Sequence, residues 1–242
     1  MNLLETSLEQ ISQEIPGATA IMNHYNLSFC CGGKKSLQEA IEGANIEQNE
    51  ILGSLLKLID QSGHDVNWDE SSIPELIIYL KGLGEKISNI QLPELFRLAD
   101  RVETVHGNKP HCPAGLAEQL GFITEKLKEQ SNQENESLFP TLMKDETKIE
   151  PTLINKMRLN LDEVVVAIIK VDELTNNIST PDGACNTWRA LYLGLKAFKV
   201  DIQQYIHIEN DVLFARLDSN TSEQVESKTH GEDFCCGSCG GS

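Results

Sequence analysis

The residues best suited to chemistry in this chain are sulfurs. Cys30 and Cys31 are adjacent and are followed by Gly32 and Gly33, and the stretch Phe234-Cys235-Cys236-Gly237-Ser238-Cys239 repeats the Phe-Cys-Cys-Gly pattern near the other end. Neighbouring cysteines close only a strained ring disulfide, so Cys30 and Cys31 suit thiol exchange with a partner or capture and transfer of iron. The glycines let a backbone or ligand approach closely, and Lys34 and Lys35 would favour the thiolate if they lie nearby. Cys236-x-x-Cys239 has the bite of a dithiol or soft-metal pair, which makes Cys235, Cys236 and Cys239 a second candidate site. A second CxxC that would complete four thiolates is absent, and only the pooled tail and Cys30-Cys31 could supply them. Helix-ending turns with incidental thiols are the competing reading. Cys112 and Cys185 stand alone and read as a loop residue and a packing residue.

A second signal is a repeat of carboxylates. Glu134-Asn135-Glu136-Ser137-Leu138-Phe139 and Glu209-Asn210-Asp211-Val212-Leu213-Phe214 both read Glu-Asn-x-x-Leu-Phe. On a helix, a Leu four residues after a Glu shares its face, so a core Leu turns that Glu inward. Two inward carboxylates from equivalent helices are how bundle proteins bridge a pair of metal ions. Exposed glutamates at a repeated helix end are the competing reading, because Glu is rarely buried.

The elements that would carry these groups are helical throughout. Leu4, Leu8 and Ile11, and then Ile51, Leu52, Leu55, Leu56 and Ile59, give helical stripes in a small unit over residues 1–60, with Pro16 at a helix start and Ser36 as a cap. Residues 61–72 lack periodicity and read as a linker. Four long patterns follow, over about 73–106 with a bend at Pro93, 113–144, 151–175 and 184–217, which predicts an up-down four-helix bundle over 73–218. Residues 219–242 read as a flexible acidic tail. The fold class expected is therefore all-α.

Composition narrows the partners. With 20 Lys+Arg against 37 Asp+Glu the formal charge is −17, so nucleic acid and anionic membranes, which need a basic face, are not expected partners. No apolar run approaches the ~18 residues of a membrane span, and the opening MNLLETSLEQ lacks the features of a signal peptide. The expectation is a cytoplasmic protein whose seven cysteines are reduced; a homodimer is one of the oligomeric states left open.

Ile15-Pro16-Gly17-Ala18-Thr19-Ala20, His24-Tyr25-Asn26 and Phe29-Cys30-Cys31-Gly32-Gly33-Lys34 resemble the N-terminal ScdA-type domain of the repair-of-iron-centres di-iron proteins. LPEL at Leu92 to Leu95, VETVHGNKP at Val102 to Pro110, the two Glu-Asn-x-x-Leu-Phe segments and TPDGACNTWRALYLG at Thr180 to Gly194 resemble their hemerythrin-like bundle, so the likeness spans residues 7–217. The resemblance implies a protein without turnover chemistry of its own that restores iron–sulfur clusters damaged by nitric oxide or peroxide, its partners being the damaged iron–sulfur proteins. It also implies non-haem iron, held by five histidines and two bridging glutamates. Carried over, the glutamates fall on Glu134 and Glu209 and one histidine on His106, while Glu85, Gln130, Leu161 and Tyr205 occupy the other four positions. Leu161 offers no donor, and Gln130 and Tyr205 offer only weaker oxygens. A residual site of Glu85, His106, Glu134 and Glu209 is the expectation, with a standard di-iron centre not expected. A bundle that has lost its metal and serves as an interaction module or a redox or nitric-oxide sensor is the alternative.

Overall fold

The computed structural model describes residues 3–15, 17–29, 33–44, 46–60, 68–145 and 148–219. Cys30, Cys31, Cys235, Cys236 and Cys239, with Pro16, most of the expected linker and nearly all of the tail, lie outside them. No strand occurs among the described residues, whose β-type pairing is the Ser7–Ser36 bridge.

The N-terminal helices are α1 (Leu8–Glu14), α2 (Ala18–His24), α3 (Leu37–Ala44) and α4 (Gln48–Asp60). Ser7 caps α1 by accepting from the Gln10 N–H at 3.2 Å. Ser36 opens α3 with a reciprocal cap in which the Glu39 N–H donates to Ser36 Oγ at 3.2 Å and the Ser36 N–H donates to Glu39 Oε2 at 2.9 Å. The two cap segments lie side by side, joined by Leu8 N–H to the Lys35 carbonyl at 3.0 Å and Leu37 N–H to the Thr6 carbonyl at 2.9 Å. Gly33 sits at this seam. A Cβ there would fall 2.2 Å from the Phe29 carbonyl oxygen and 2.9 Å from Glu9 Cβ, so the close approach admits glycine alone.

The bundle begins with α5 (Ile73–Lys86), which passes through a wide turn, Ile87–Gln91, into α6 (Leu92–His106). In that turn the Leu92 N–H reaches the Ile87 carbonyl, five residues back. The sequence places the bend at Pro93, whereas the structure opens the helix just before it. A proline ring clashes with the carbonyl four residues back in a regular helix, and a widened turn relieves that clash while Pro93 has no N–H to strand. The same device recurs after α7 (Leu116–Gln133): the Phe139 N–H reaches the Glu134 carbonyl across the wide turn Glu134–Leu138, and Pro140 follows in α8 (Phe139–Leu142). The remaining helices are α9 (Pro151–Leu174) and α10 (Asn186–Ile206), the latter continuing through a third wide turn, His207–Phe214.

Packing of α6 on α7 and α10, and of α7 on α9, closes the four helical runs around one apolar core. Gly194 lets α10 approach α6, since a Cβ there would lie 2.9 Å from Leu95 Cδ2. The N-terminal helices dock on the bundle through polar contacts: Gln13 Nε2 donates to Asn186 Oδ1 at 3.1 Å, and Asn23 Nδ2 donates to both oxygens of Glu94 at 3.3 and 3.4 Å. Among the described residues no helix is long and apolar enough to cross a membrane.

Candidate functional site

Glu134 and Glu209 meet in the core. Glu134 opens the wide turn after α7, Glu209 lies in the one after α10, and they are 3% and 0% exposed. Their carboxyl groups lie beside one another, close enough to share a hydrogen bond when one of them holds a proton. Each is also served by a donor one helical turn before the other. Tyr205, four residues before Glu209, donates its hydroxyl to Glu134 Oε1, and Gln130, four residues before Glu134, donates Nε2 to Glu209 Oε1 at 2.9 Å. Asn160 of α9 fixes the Gln130 amide by donating Nδ2 to Gln130 Oε1 at 2.9 Å, and it also donates to the Lys126 carbonyl at 2.9 Å. The neighbouring Leu161 is buried.

Burial dominates the electrostatics. It pushes the Glu209 carboxyl well above the usual carboxylate range, and the Glu134 charge adds to the effect. Burial also raises Glu134, against the opposing pull of the hydrogen bonds from Tyr205 and Glu209 and of the Lys81 ammonium. Tyr205 is raised well above its ordinary value, first by burial and then by the two carboxylates, so it stays a neutral phenol that donates. Glu209 Oε2 finds no N–H or O–H donor among the described residues. A single proton held between the two carboxyls would satisfy it and leave the pair with one negative charge.

The other expected ligands do not join them. Glu85 is exposed, because the core-facing position is its neighbour: a Cβ on Gly84 would touch Tyr205 Cε2 at 3.5 Å. His106 lies at the opposite end of the bundle. Its Nε2 is 3.1 Å from Cys185 Sγ, and its ring stacks on Trp188 with centroids 5.5 Å apart. Cys185 is the N-cap of α10 and Tyr205 comes 205 − 185 = 20 residues later, which at about 1.5 Å per residue separates them by about 30 Å. The set Glu85, His106, Glu134 and Glu209 is therefore corrected to the two glutamates. Among the described residues no three His, Cys, Asp or Glu side chains are grouped to hold a metal. Burial and Lys109 lower the basicity of His106, and burial with Glu103 raises the Cys112 thiol. His207 is exposed and bonds Asp211 at 2.9 Å, pointing away from the carboxylates as its helical phase requires. The thiols expected to react, Cys30, Cys31, Cys235, Cys236 and Cys239, lie outside the described residues.

Residues 4–59 match ScdA_N, a domain of unknown function, and residues 90–217 match the hemerythrin HHE cation binding domain. The chain is 35% identical over 216 residues to the iron-sulfur cluster repair protein YtfE of Dickeya chrysanthemi, covering 89% of this chain and 98% of that protein. It is 36% identical, with the same coverage, to the proteins of that name from Yersinia pseudotuberculosis and Yersinia pestis. The chain belongs to the YtfE family of iron–sulfur cluster repair proteins. The HHE match and the YtfE relatives support non-haem iron as the cofactor class. The residues at this bundle's centre do not fit the histidine-rich di-iron set that the resemblance implies. Gln130 presents an N–H and Tyr205 an O–H to the carboxylates, Leu161 presents carbon, and no imidazole joins them among the described residues. Asn160, which braces this site, is not singled out by the sequence, although it shares a face with buried Met157 and Val164.

Proposed function

We propose that this chain repairs damaged iron–sulfur clusters in the cytoplasm under nitrosative or oxidative stress, with residues 1–60 as an N-terminal domain, 61–72 as a linker, 73–218 as the bundle and 219–242 as a tail. The reading rests on the collinear likeness of both parts to YtfE proteins along 98% of their length. The working groups are the thiols. Cys30 and Cys31, and the tail set Cys235, Cys236 and Cys239, bind iron as thiolates once each has lost its proton, and soft sulfur ligands suit iron–sulfur fragments. A vicinal pair beside glycines leaves coordination positions open, so that iron can pass to or from a client cluster. The bundle is the scaffold on which the N-terminal helices dock through Asn186 and Glu94. The protein acts as an iron donor or acceptor without catalytic turnover of its own.

The test is reactivation of a [4Fe–4S] enzyme inactivated by nitric oxide or peroxide. The Cys30→Ser/Cys31→Ser variant is expected to lose most of the activity, and truncation after Asp233 to lose part of it. Full reactivation by the cysteine variants, together with loss of reactivation in Glu134→Ala/Glu209→Ala of unchanged helical content, would move the activity to the bundle.

A further inference from the structure

We infer that the bundle of this chain has exchanged the iron centre of its family for a hydrogen-bonded carboxyl pair, held by donors from α7 and α10 and braced from α9 by Asn160. This goes beyond the repair reading, since thiol-based repair holds whether or not the bundle loads iron.

The argument is one of polarity. A metal site aims lone pairs at a common point, and its second shell orients them from behind. Here the groups around the two carboxylates aim hydrogens at them. Gln130 has its amide orientation set from outside, because Oε1 receives the Asn160 Nδ2 at 2.9 Å and Nε2 is left to face Glu209 at 2.9 Å. To offer its oxygen to a metal, Gln130 would have to turn over, placing its own NH₂ against the Asn160 NH₂. Tyr205 likewise commits its hydroxyl hydrogen to Glu134. Leu161, 2% exposed, fills with carbon the position from which α9 would supply a ligand. The helix carrying Glu85 shows the core a glycine. The crossed pattern, Gln130 to Glu209 and Tyr205 to Glu134, ties the α7 and α10 runs together at the level where a bridging metal would otherwise do so. Glu209 Oε2 is buried without an N–H or O–H donor among the described residues, and the Glu134 carboxyl beside it is the group with which Glu209 can share a proton.

The experiment uses the full chain purified anaerobically from iron-replete cells, beside a variant in which Cys30, Cys31, Cys235, Cys236 and Cys239 are all serine, so that iron on the thiols is not counted as iron in the bundle. Metal analysis of the serine variant is expected to give background iron, its optical spectrum no visible band, and its Tm no change on adding a chelator or ferrous iron. Glu134→Gln in the same background keeps an acceptor for Tyr205 and replaces the shared proton with an amide N–H donor toward Glu209 at the same net charge, so its Tm is expected to equal or exceed the parent's. One or two irons per chain in the serine variant, lost in Glu134→Ala/Glu209→Ala, would overturn the inference, as would a tyrosinate-to-iron band lost in Tyr205→Phe. A lower Tm for Glu134→Gln would overturn the hydrogen-bonding half of it. None of these readouts is repair activity, so the failure of either reading is distinguishable from failure of the other.

Discussion

A buried carboxyl pair with one proton between its members makes stability depend on pH in a definite direction. Both Glu209 and Glu134 titrate above the ordinary carboxyl value in the fold, so above that value the native state binds more protons than the unfolded chain. The stability they contribute is fully present below the unfolded pKa of about 4.3 and is lost as pH rises through the raised native values. Urea unfolding should therefore show stability falling from mildly acidic to neutral pH, and Glu209→Gln should flatten the slope; an unaltered slope in that variant would show that other groups cause it. Leu161→His makes a second case. Losing a buried leucine forfeits about 1.5 to 3 kcal/mol, and a polar imidazole is desolvated in its place, so the midpoint in metal-free buffer should drop; an unchanged midpoint would count against a dry core. At this scale the sequence is legible where a pattern encodes direction. The twin Glu-Asn-x-x-Leu-Phe segments place both glutamates inward because Leu138 and Leu213 are buried on the same face. His106 and Glu85 fail for geometric reasons that residue type does not carry: one is a helix length away, the other is one position out of phase with the core.

Among the elements, the helices are legible because apolar spacing and caps agree, as at Ser36 with Glu39. The wide turns are not, since nothing in hydrophobic period marks a carbonyl bonded five residues on. Proline marks two of them indirectly: Pro93 and Pro140 each stand two residues past a widened turn. Glu134 and Glu209 both lie in such turns, a common placement for residues that must leave regular helical phase to reach a shared centre. The seam between the first and third helices depends on Gly33. Gly33→Ala forces a methyl to 2.2 Å from the Phe29 carbonyl oxygen, and relieving such overlap typically costs about 1 to 3 kcal/mol. Faster amide exchange in α1 and α3 with little change in α7 and α9 is the expected signature. Unchanged exchange in α1 would mean that the seam relaxes without cost.

At the scale of the whole molecule, the thiol-bearing N-terminal segment is carried by helices that reach the bundle through a few polar contacts. Glu94 is the centre of one such contact, 8% exposed, accepting from Asn23 Nδ2 at 3.3 and 3.4 Å and from Arg97 Nε and a terminal nitrogen at 2.9 and 2.7 Å. Arg97 neutralises the carboxylate, and the carboxylate in turn holds Asn23 at the end of α2. Glu94→Ala strands the Asn23 amide at the interface, and hydrogen bonds to charged groups are worth about 1.5 to 3 kcal/mol. The loss should appear in docking rather than in the bundle, whose core lies on the other faces of α6. Hydrogen exchange is expected to speed up in α2 (Ala18–His24) while α7 and α9 keep their protection. Arg97→Ala is the control, because it leaves the Asn23–Glu94 contact in place and should affect α2 less. Equal exchange of α2 in wild type and Glu94→Ala would show that the contact of α1 with α10, Gln13–Asn186 included, suffices to hold the two parts together.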